Sequence, residues 1–321
     1  MKFRFQLQSD SDVPASTQLL NQISFAIASR QFPPGYQLPS TRQLAMITGL
    51  HRNTISKVYN LLEQMGLVEA QAGSGIYVKA MGGAGVIFVA SIPVDLYSGF
   101  YRAAHQLLSG IFPDCLWQGD PGVPEVALSF DDGPDPRYTP PLLNVLAHHR
   151  VQASFFLLGN RVAASAGIVR DIYEAGHWLG LHGYDHRPFL RTAGLRESLE
   201  QSRTLVAAAC ALEPGQLRDV RPPYGIAAPA VLTALGRWGY RPVMWQVLSD
   251  DSQRPGVETV VRRTLAQVGN GSLIVLHDGN DGAGDDVARA TDRIVAALLA
   301  RGYRFVTVDR FWQGRASPGQ R

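Results

Sequence analysis

Apolar residues recur at helical spacing along the first 80 positions and in strand-like runs from about position 125. Leu19, Leu20, Ile23 and Ile27 predict a helix capped by Ser16, and the Pro-Pro-Gly of FPPGYQLP (32–39) ends it. STRQLAMITG (40–49) reads as a short helix, with Ser40 and Gln43 in capping-box spacing and Gly49 as the stop. After a turn, NTISKVYNLLEQMG (53–66) reads as a second amphipathic helix with Ile55, Val58, Leu61, Leu62 and Met65 inward. LVEA (67–70) and IYV (76–78) predict two short strands around the Gly-containing turn QAGSG. Three helices followed by a hairpin make a winged helix-turn-helix.

From about residue 125 the pattern alternates. VALSF (126–130), ASFFLLG (153–159), HWLGLHG (177–183), VRPP (220–223), PVMWQVL (242–248), SLIVLHD (272–278) and FVTV (305–308) are candidate strands. Helical stretches at 139–149, 163–175, 195–211, 228–238, 257–268 and 285–301 separate them. Repeated strand-helix units imply a parallel sheet, open or closed into a barrel. Polar residues cluster at the strand C-termini, where barrel active sites lie. The expected organisation is a first domain at 1–80, a junction at 81–124 opening on the flexible MGGAG, a second domain at 125–312 and a disordered tail at 313–321.

Charge sharpens this division. Residues 1–80 hold seven basic residues against four acids, and the rest holds 23 of each sign. No lysine follows Lys79. The mildly basic segment is therefore the one suited to nucleic acid. Overall, 45% hydrophobic and 18% charged residues describe a globular protein with a substantial core. Cys115 and Cys210 are far apart and form no CxxC or Cys/His zinc cluster, so they read as buried or free thiols. The chain opens without a secretory h-region. AGVIFVASIPV (84–94) falls short of the ~20 apolar residues of a spanning helix, so no integral membrane span is expected.

The chemistry starts at VALSFDDGPDP (126–136), where a strand ends in two adjacent acids. Neighbouring strand residues point to opposite faces, so Asp131 and Asp132 are suited to different tasks. HGYDH (182–186) sets His182 and His186 at i, i+4, one helical turn apart. Asp132, His182 and His186 form a His/His/Asp set for a borderline divalent ion with a position left for water. Asp131, aimed elsewhere, is left as general base. RPPYG (221–225), WQVLSDD (245–251) and VLHDG (275–279) add an arginine loop, a pair of acids and His277 at the end of an apolar strand.

Two resemblances follow. LPSTRQLA and GLHRNTISKVYNLLEQMGLVEAQAGSGIYV, within 14–79, resemble the DNA-binding domain of GntR-type transcription regulators. That resemblance implies that Arg42, Arg52, Thr54 and Lys57 touch phosphates or base edges, and that the wing around Gly73 and Gly75 lies along a minor groove. His51 stands where that family usually has a serine-like cap. SFDDGPDP, HGYDH, RPPYG, WQVLSDD and VLHDG, in that order over about 125–312, resemble the five motifs of the NodB-homology polysaccharide deacetylases, carbohydrate esterase family 4. This second resemblance implies a distorted (β/α)7 barrel. It implies Asp131 as base, Asp132, His182 and His186 as metal ligands, and Arg221 pairing with Asp131. Asp251 would orient His277, the general acid. The Tyr224 N–H would help hold an oxyanion, and Trp245 and Leu276 would wall the acetyl-methyl pocket. The chain departs from the family pattern at Ser252, where tryptophan is usual, and at Leu248, where an acid is usual.

The expectation is thus an α/β enzyme, a metal-dependent hydrolase acting on carbon-nitrogen bonds other than peptide bonds. It would remove N-acetyl or O-acetyl groups from a polysaccharide, with zinc as the first metal and cobalt, nickel or manganese as substitutes. Peptidoglycan, chitin-like oligomers, poly-N-acetylglucosamine and acetylated xylan all suit such a site. Double-stranded operator DNA is the partner expected for the first domain. Two alternatives stand beside this one: a regulator whose deacetylase-like domain senses a sugar, and a gene fusion carrying a passenger DNA-binding half. The location expected is cytoplasmic, with action at the cell envelope if stretch 84–94 anchors or exports the enzyme. His148 and His149 read as a solvated helix end and Asp185 as a supporting or exposed residue. DGNDGAGDD (278–286) lacks EF-hand spacing and reads as a loop beside the active site.

Overall fold

The computed structural model describes residues 5, 7, 15–28, 31–64, 67–71, 73–79, 109–110, 112–279 and 286–315. The chain divides into two compact units. One comprises residues 1–105 with 188–191 and 224–232, and the other comprises 106–187, 192–223 and 233–321.

The first unit holds α1 (Ala15–Ala28), α2 (Thr41–Thr48), α3 (Arg52–Gln64) and the antiparallel hairpin of β1 (Val68–Gln71) and β2 (Gly75–Val78). Local chemistry sets the boundaries. Ser40 Oγ accepts the Gln43 N–H at 3.2 Å and Gln43 Oε1 accepts the Ser40 N–H at 2.9 Å, closing the expected capping box. Gly49 ends α2 in left-handed backbone (φ 74°), with its N–H on the Ala45 carbonyl. At the start of α3, His51 takes the place of the usual serine-like cap: its Nδ1 accepts the Asn53 N–H at 3.3 Å. Leu19, Ile23 and Ile27 of α1 are buried with Leu44, Ile55, Val58 and Leu62. Leu61, expected inward, is exposed, because the buried face of α3 runs through positions 55, 58, 59 and 62. Met65 lies outside the described residues.

In the second unit β3 (Glu125–Asp131), β4 (Ser154–Leu157), β5 (Trp178–Leu181), β6 (Asp219–Val220), β7 (Arg241–Pro242), β8 (Val247–Leu248) and β9 (Leu273–His277) form one parallel sheet in the order β7-β6-β5-β4-β3-β9-β8. A last strand, β10 (Arg304–Val306), pairs with residues 125–127 of β3 while β4 pairs with 129–131. The helices between them are α4 (Thr139–His149), α5 (Gly159–Ala164), α6 (Ala166–Glu174), α7 (Leu195–Cys210), α8 (Pro229–Arg237), α9 (Val257–Gln267), α10 (Asp286–Ala300) and α11 (Val308–Gln313). This is the expected distorted (β/α)7 barrel. Every residue of β3 is buried, as both-face coverage of a parallel strand requires. Phe130 stacks on Phe155 (5.1 Å between ring centroids), and Leu142, Leu146, Val169, Ile172, Ile294 and Leu298 supply fully buried helix positions.

Four details differ from the sequence reading. The helix expected over 163–175 is two helices broken at Ser165. The apolar run 242–248 is two short strands, because the Val243 and Met244 carbonyls turn to accept hydrogen bonds from Arg221. Part of the junction 81–124 belongs to the second unit: Leu116 bridges to Val243 and the Gly119 N–H bonds the Gly271 carbonyl at 2.8 Å. Of the tail from 313, Gln313 closes α11 and Arg315 donates to the Cys115 carbonyl at 2.9 Å, while 316–321 lie outside the described residues. Both cysteines are free and buried. Among the described residues no helix is long and apolar enough to cross a membrane. The stretch 84–94, an anchor in the sequence reading if the enzyme acts at the envelope, lies outside the described residues.

Candidate active site

The motif residues gather at the C-terminal ends of the strands. Asp131 is the last residue of β3 and His277 the last of β9. His182 follows β5, Arg221 follows β6, and Asp251 opens a short 3-10 turn after β8.

Asp132 has left-handed backbone (φ 73°), a region that Asp tolerates better than most residues. This reversal directs its carboxylate away from that of Asp131. His182 Nε2 lies 3.3 Å and His186 Nε2 3.0 Å from Asp132 Oδ1. The histidine pair does not sit on a helix, although the i, i+4 spacing suggested one. HGYDH is a loop that reverses at Gly183 (φ 84°) and His186 (φ 58°). Its backbone is pinned from two sides. The Gly159 and Asn160 N–H groups bond the Gly183 and Tyr184 carbonyls, each at 3.0 Å, and Ser198 Oγ accepts the Tyr184 N–H at 3.2 Å.

This set fits a divalent cation. Ligand atoms of Asp132, His182 and His186 lie within 4.8 Å of one another. His182 Nδ1 is committed to the Arg221 carbonyl at 2.8 Å, which fixes the tautomer that presents Nε2 as ligand. Asp132 Oδ1 is buried and makes no formed hydrogen bond. A neutral imidazole lone pair about 3 Å from a carboxylate oxygen is repulsive unless a proton or cation lies between. Burial works against the charge on Asp132, but His182 and His186 hold its carboxyl well below the usual range. Ligand N and O atoms of this kind suit a borderline ion such as zinc.

Asp131 is 2% exposed and receives Arg221 Nη1 at 2.6 Å. Arg221 is fully buried, and its other bonds go to Ser129 Oγ (2.9 Å), the Met244 carbonyl (3.0 Å) and the Val243 carbonyl (3.4 Å). Its guanidinium lies 4.0 Å from the Phe156 ring centroid and 5.7 Å from that of Trp245. Across the site, Asp251 grips His277 twice: Oδ2 accepts the His277 backbone N–H at 2.7 Å and Oδ1 meets Nδ1 at 2.9 Å. Burial pulls the His277 imidazole down, yet Asp251, with Asp132 and Asp131 beyond, carries it up to about 10. Trp245 and Leu276 are buried. Tyr224 counts with the first unit and is 46% exposed in left-handed backbone (φ 59°).

Three further side chains to which the sequence assigned no role stand close to these groups. Ser129 shares Arg221 with Asp131. Asp250, beside Asp251, is fully buried 3.8 Å from Arg263, and burial pushes it up to about 7. Asp278 is buried beneath the Asp132–Gly133 turn and bonded to Thr139. The one available signal for Asp278 is an acid directly after an apolar strand. Asp185 pairs with Arg187 at 2.7 Å near the surface, and His149 meets Asp292 at 2.7 Å. Residues 280–285 of the loop after Gly279 lie outside the described residues.

In the first unit Arg42, Arg52 and Lys57 are exposed on α2 and α3, Thr54 is half-buried, and Gly73 and Gly75 hold positive φ (73° and 135°) in the hairpin turn.

Residues 118–243 match the family model for polysaccharide deacetylase, and residues 15–78 that for bacterial regulatory proteins of the gntR family. A chitooligosaccharide deacetylase of Sinorhizobium fredii is 38% identical over 195 residues, spanning 57% of this chain and 89% of that protein. A peptidoglycan-N-acetylglucosamine deacetylase of Bacillus cereus is 34% identical over 187 residues, spanning 57% and 85%. Among solved structures, the Bc1960 peptidoglycan N-acetylglucosamine deacetylase is similar with a TM-score of 0.61 at 29% identity, over 64% of this chain and 97% of that one.

Proposed function

This chain belongs to the polysaccharide deacetylase family, and on that premise we propose that it hydrolyses N-acetyl groups of an N-acetylglucosamine polymer, with Asp131 as base and His277 as acid. The observation that carries the reading is the convergence of Asp132, His182 and His186 beside the Arg221-held Asp131.

Asp132, His182 and His186 would hold a divalent ion, zinc in this reading. When bound, such an ion supplies Lewis acidity for the acetyl carbonyl and acidifies a water. The chain's own groups handle the protons. Asp131, held by Arg221, accepts a proton from the attacking water. Arg221 keeps that carboxylate in place, with Nη1 on Oδ1 at 2.6 Å. His277, whose imidazole is carried up chiefly by Asp251 against burial, is the group to give a proton to the departing nitrogen, and Asp251 holds Nδ1 so that Nε2 is the atom that delivers it. Acetic acid and the amine leave, ionising to acetate and ammonium in water, and a proton taken by Asp131 balances one given by His277. Trp245 and Leu276 are read as walls of the acetyl-methyl pocket. The role of the Tyr224 N–H toward the oxyanion rests on the family resemblance alone.

The relatives' substrates, chitooligosaccharide and peptidoglycan, favour N-acetyl over O-acetyl chemistry. Acetate release by the full chain, after zinc or cobalt reconstitution, tests this on N-acetylglucosamine oligomers, peptidoglycan fragments and acetylated xylan. Release from the first two and little from xylan is expected. Release from xylan alone would overturn the N-acetyl assignment.

The gntR-type segment gives the chain a second partner in this reading, double-stranded DNA, and favours a cytoplasmic location. Its exposed Arg42, Arg52 and Lys57 are the residues to contact phosphates or bases. The sensor alternative is disfavoured by the base and acid: sugar binding alone gives no reason to keep Asp131 on Arg221 and His277 on Asp251.

A further inference from the structure

Asp132 serves as a ligand only if its reversed backbone holds still. The β3 strand reaches only as far as Asp131, one residue short of it. The support comes instead from the residue after His277. The Asp278 N–H donates to the Asp131 carbonyl at 3.1 Å. Its side chain, 1% exposed, lies flush against the Asp132–Gly133 turn: a Cβ at Gly133 would stand 2.5 Å from both Asp278 carboxylate oxygens. In return, a Cβ at Gly279 would stand 2.0 Å from the Asp132 carbonyl oxygen. Two side-chain-free positions thus let the two strand ends touch.

Thr139, at the start of α4, locks the contact. Its hydroxyl donates to Asp278 Oδ2 at 2.6 Å and accepts the Asp135 N–H at 2.9 Å. Asp135 in turn accepts Arg161 Nη1 at 3.1 Å, and the Gly133 carbonyl accepts the Leu158 N–H at 3.0 Å. The turn carrying Asp132 is therefore held from below by Asp278 and from α4 and α5 by Thr139 and Arg161. A buried carboxylate with so few partners is costly, and an apolar residue of similar size would serve packing better. Its place against the turn gives the carboxylate a task that packing does not.

We propose that Asp278, through its hydrogen bond to Thr139, is a positioning residue that fixes the backbone reversal at Asp132 and so sets the affinity of the Asp132–His182–His186 site for its metal. The inference rests on the reading of those three residues as ligands. Groups that orient metal ligands affect affinity by about 10–100-fold.

The test is a cobalt(II) titration of the metal-free full chain, read by affinity and by the visible d–d absorption of the bound ion. Wild type is titrated first, and a failure to bind at one equivalent would overturn the ligand reading itself. Asp278→Ala and Thr139→Val are then expected to weaken cobalt binding about 10–100-fold and to alter the absorption band. Asp278→Asn and Thr139→Ser, which keep the acceptor and the hydroxyl, are expected to stay near wild type. Thermal unfolding of each metal-free variant separates loss of fold from loss of site. Wild-type affinity and spectrum in Thr139→Val and Asp278→Ala would overturn the inference. If Asp278→Ala does not fold, Thr139→Val and its Ser counterpart decide the question.

Discussion

Asp131 and His277 are register partners on the adjacent parallel strands β3 and β9. Register partners on neighbouring strands stand about 5 Å apart with side chains on the same face. One ladder step thus sets the proposed base and acid side by side, and each has its own holder, Arg221 for Asp131 and Asp251 for His277.

The His277 environment predicts a titration. In the metal-free protein its imidazole is carried up to about 10, chiefly by Asp251 against the opposing effect of burial. Asp251→Asn removes the charge at Nδ1 and brings the value down toward the ordinary 6.5. An imidazole NMR titration of both proteins checks this. The sign for stability follows from a folded value above the unfolded one. The contribution is complete below about 6.5 and is lost as pH rises through about 10. Coincident titrations in the two proteins would contradict the assigned role of Asp251.

Arg221 predicts a stability loss coupled to an activity loss. It is fully buried and serves Asp131, Ser129 and two carbonyls. Arg221→Met leaves the Asp131 carboxylate buried without its counter-charge, at a cost of about 3–5 kcal/mol. Urea unfolding followed by tryptophan fluorescence measures it, and acetate release is expected to fall with it. A variant of unchanged stability would mean that the pair contributes nothing net.

His177 predicts an acid-side weakness. It is 6% exposed, packs on Phe155, and its Nδ1 accepts the Ala153 N–H at 3.2 Å. Burial pushes its pKa down to about 4. A depressed folded value means stability present above about 6.5 and lost as pH falls toward 4, on the order of 3 kcal/mol in all. His177→Gln keeps an acceptor and cannot titrate, so its stability is expected to depend less on pH between 7.5 and 4.5. Parallel pH dependence in the two proteins would contradict this.

The winged helix predicts salt-sensitive DNA binding. Binding of the full chain to double-stranded DNA is expected to weaken steeply as salt rises, with a log–log slope of roughly −0.9 per phosphate contacted. Arg52→Ala or Lys57→Ala is expected to flatten that slope. Wild-type slopes in both variants would remove these residues from the interface.

What the sequence made legible was local. The Ser40–Gln43 box and the Gly49 stop depend on a few consecutive residues, and both are present as read. Order and spacing of five motifs located the site on the strand ends. What escaped depends on distant partners. The i, i+4 histidines suggested a helix because spacing carries no information about Gly159, Asn160 and Ser198, which pin the loop. The run 242–248 reads as one strand until Arg221 is seen drawing two of its carbonyls away. The contact of Asp278 with Thr139 spans 139 positions and leaves no local pattern.

The most direct measurement is acetate release from a chitin-type N-acetylglucosamine oligomer by the zinc-reconstituted full chain, set against Asp131→Asn at matched zinc content. The account predicts acetate and free amine in equal amounts from the wild type and a loss of both in the variant. No acetate from the zinc-loaded wild type, or undiminished release from Asp131→Asn, would contradict it.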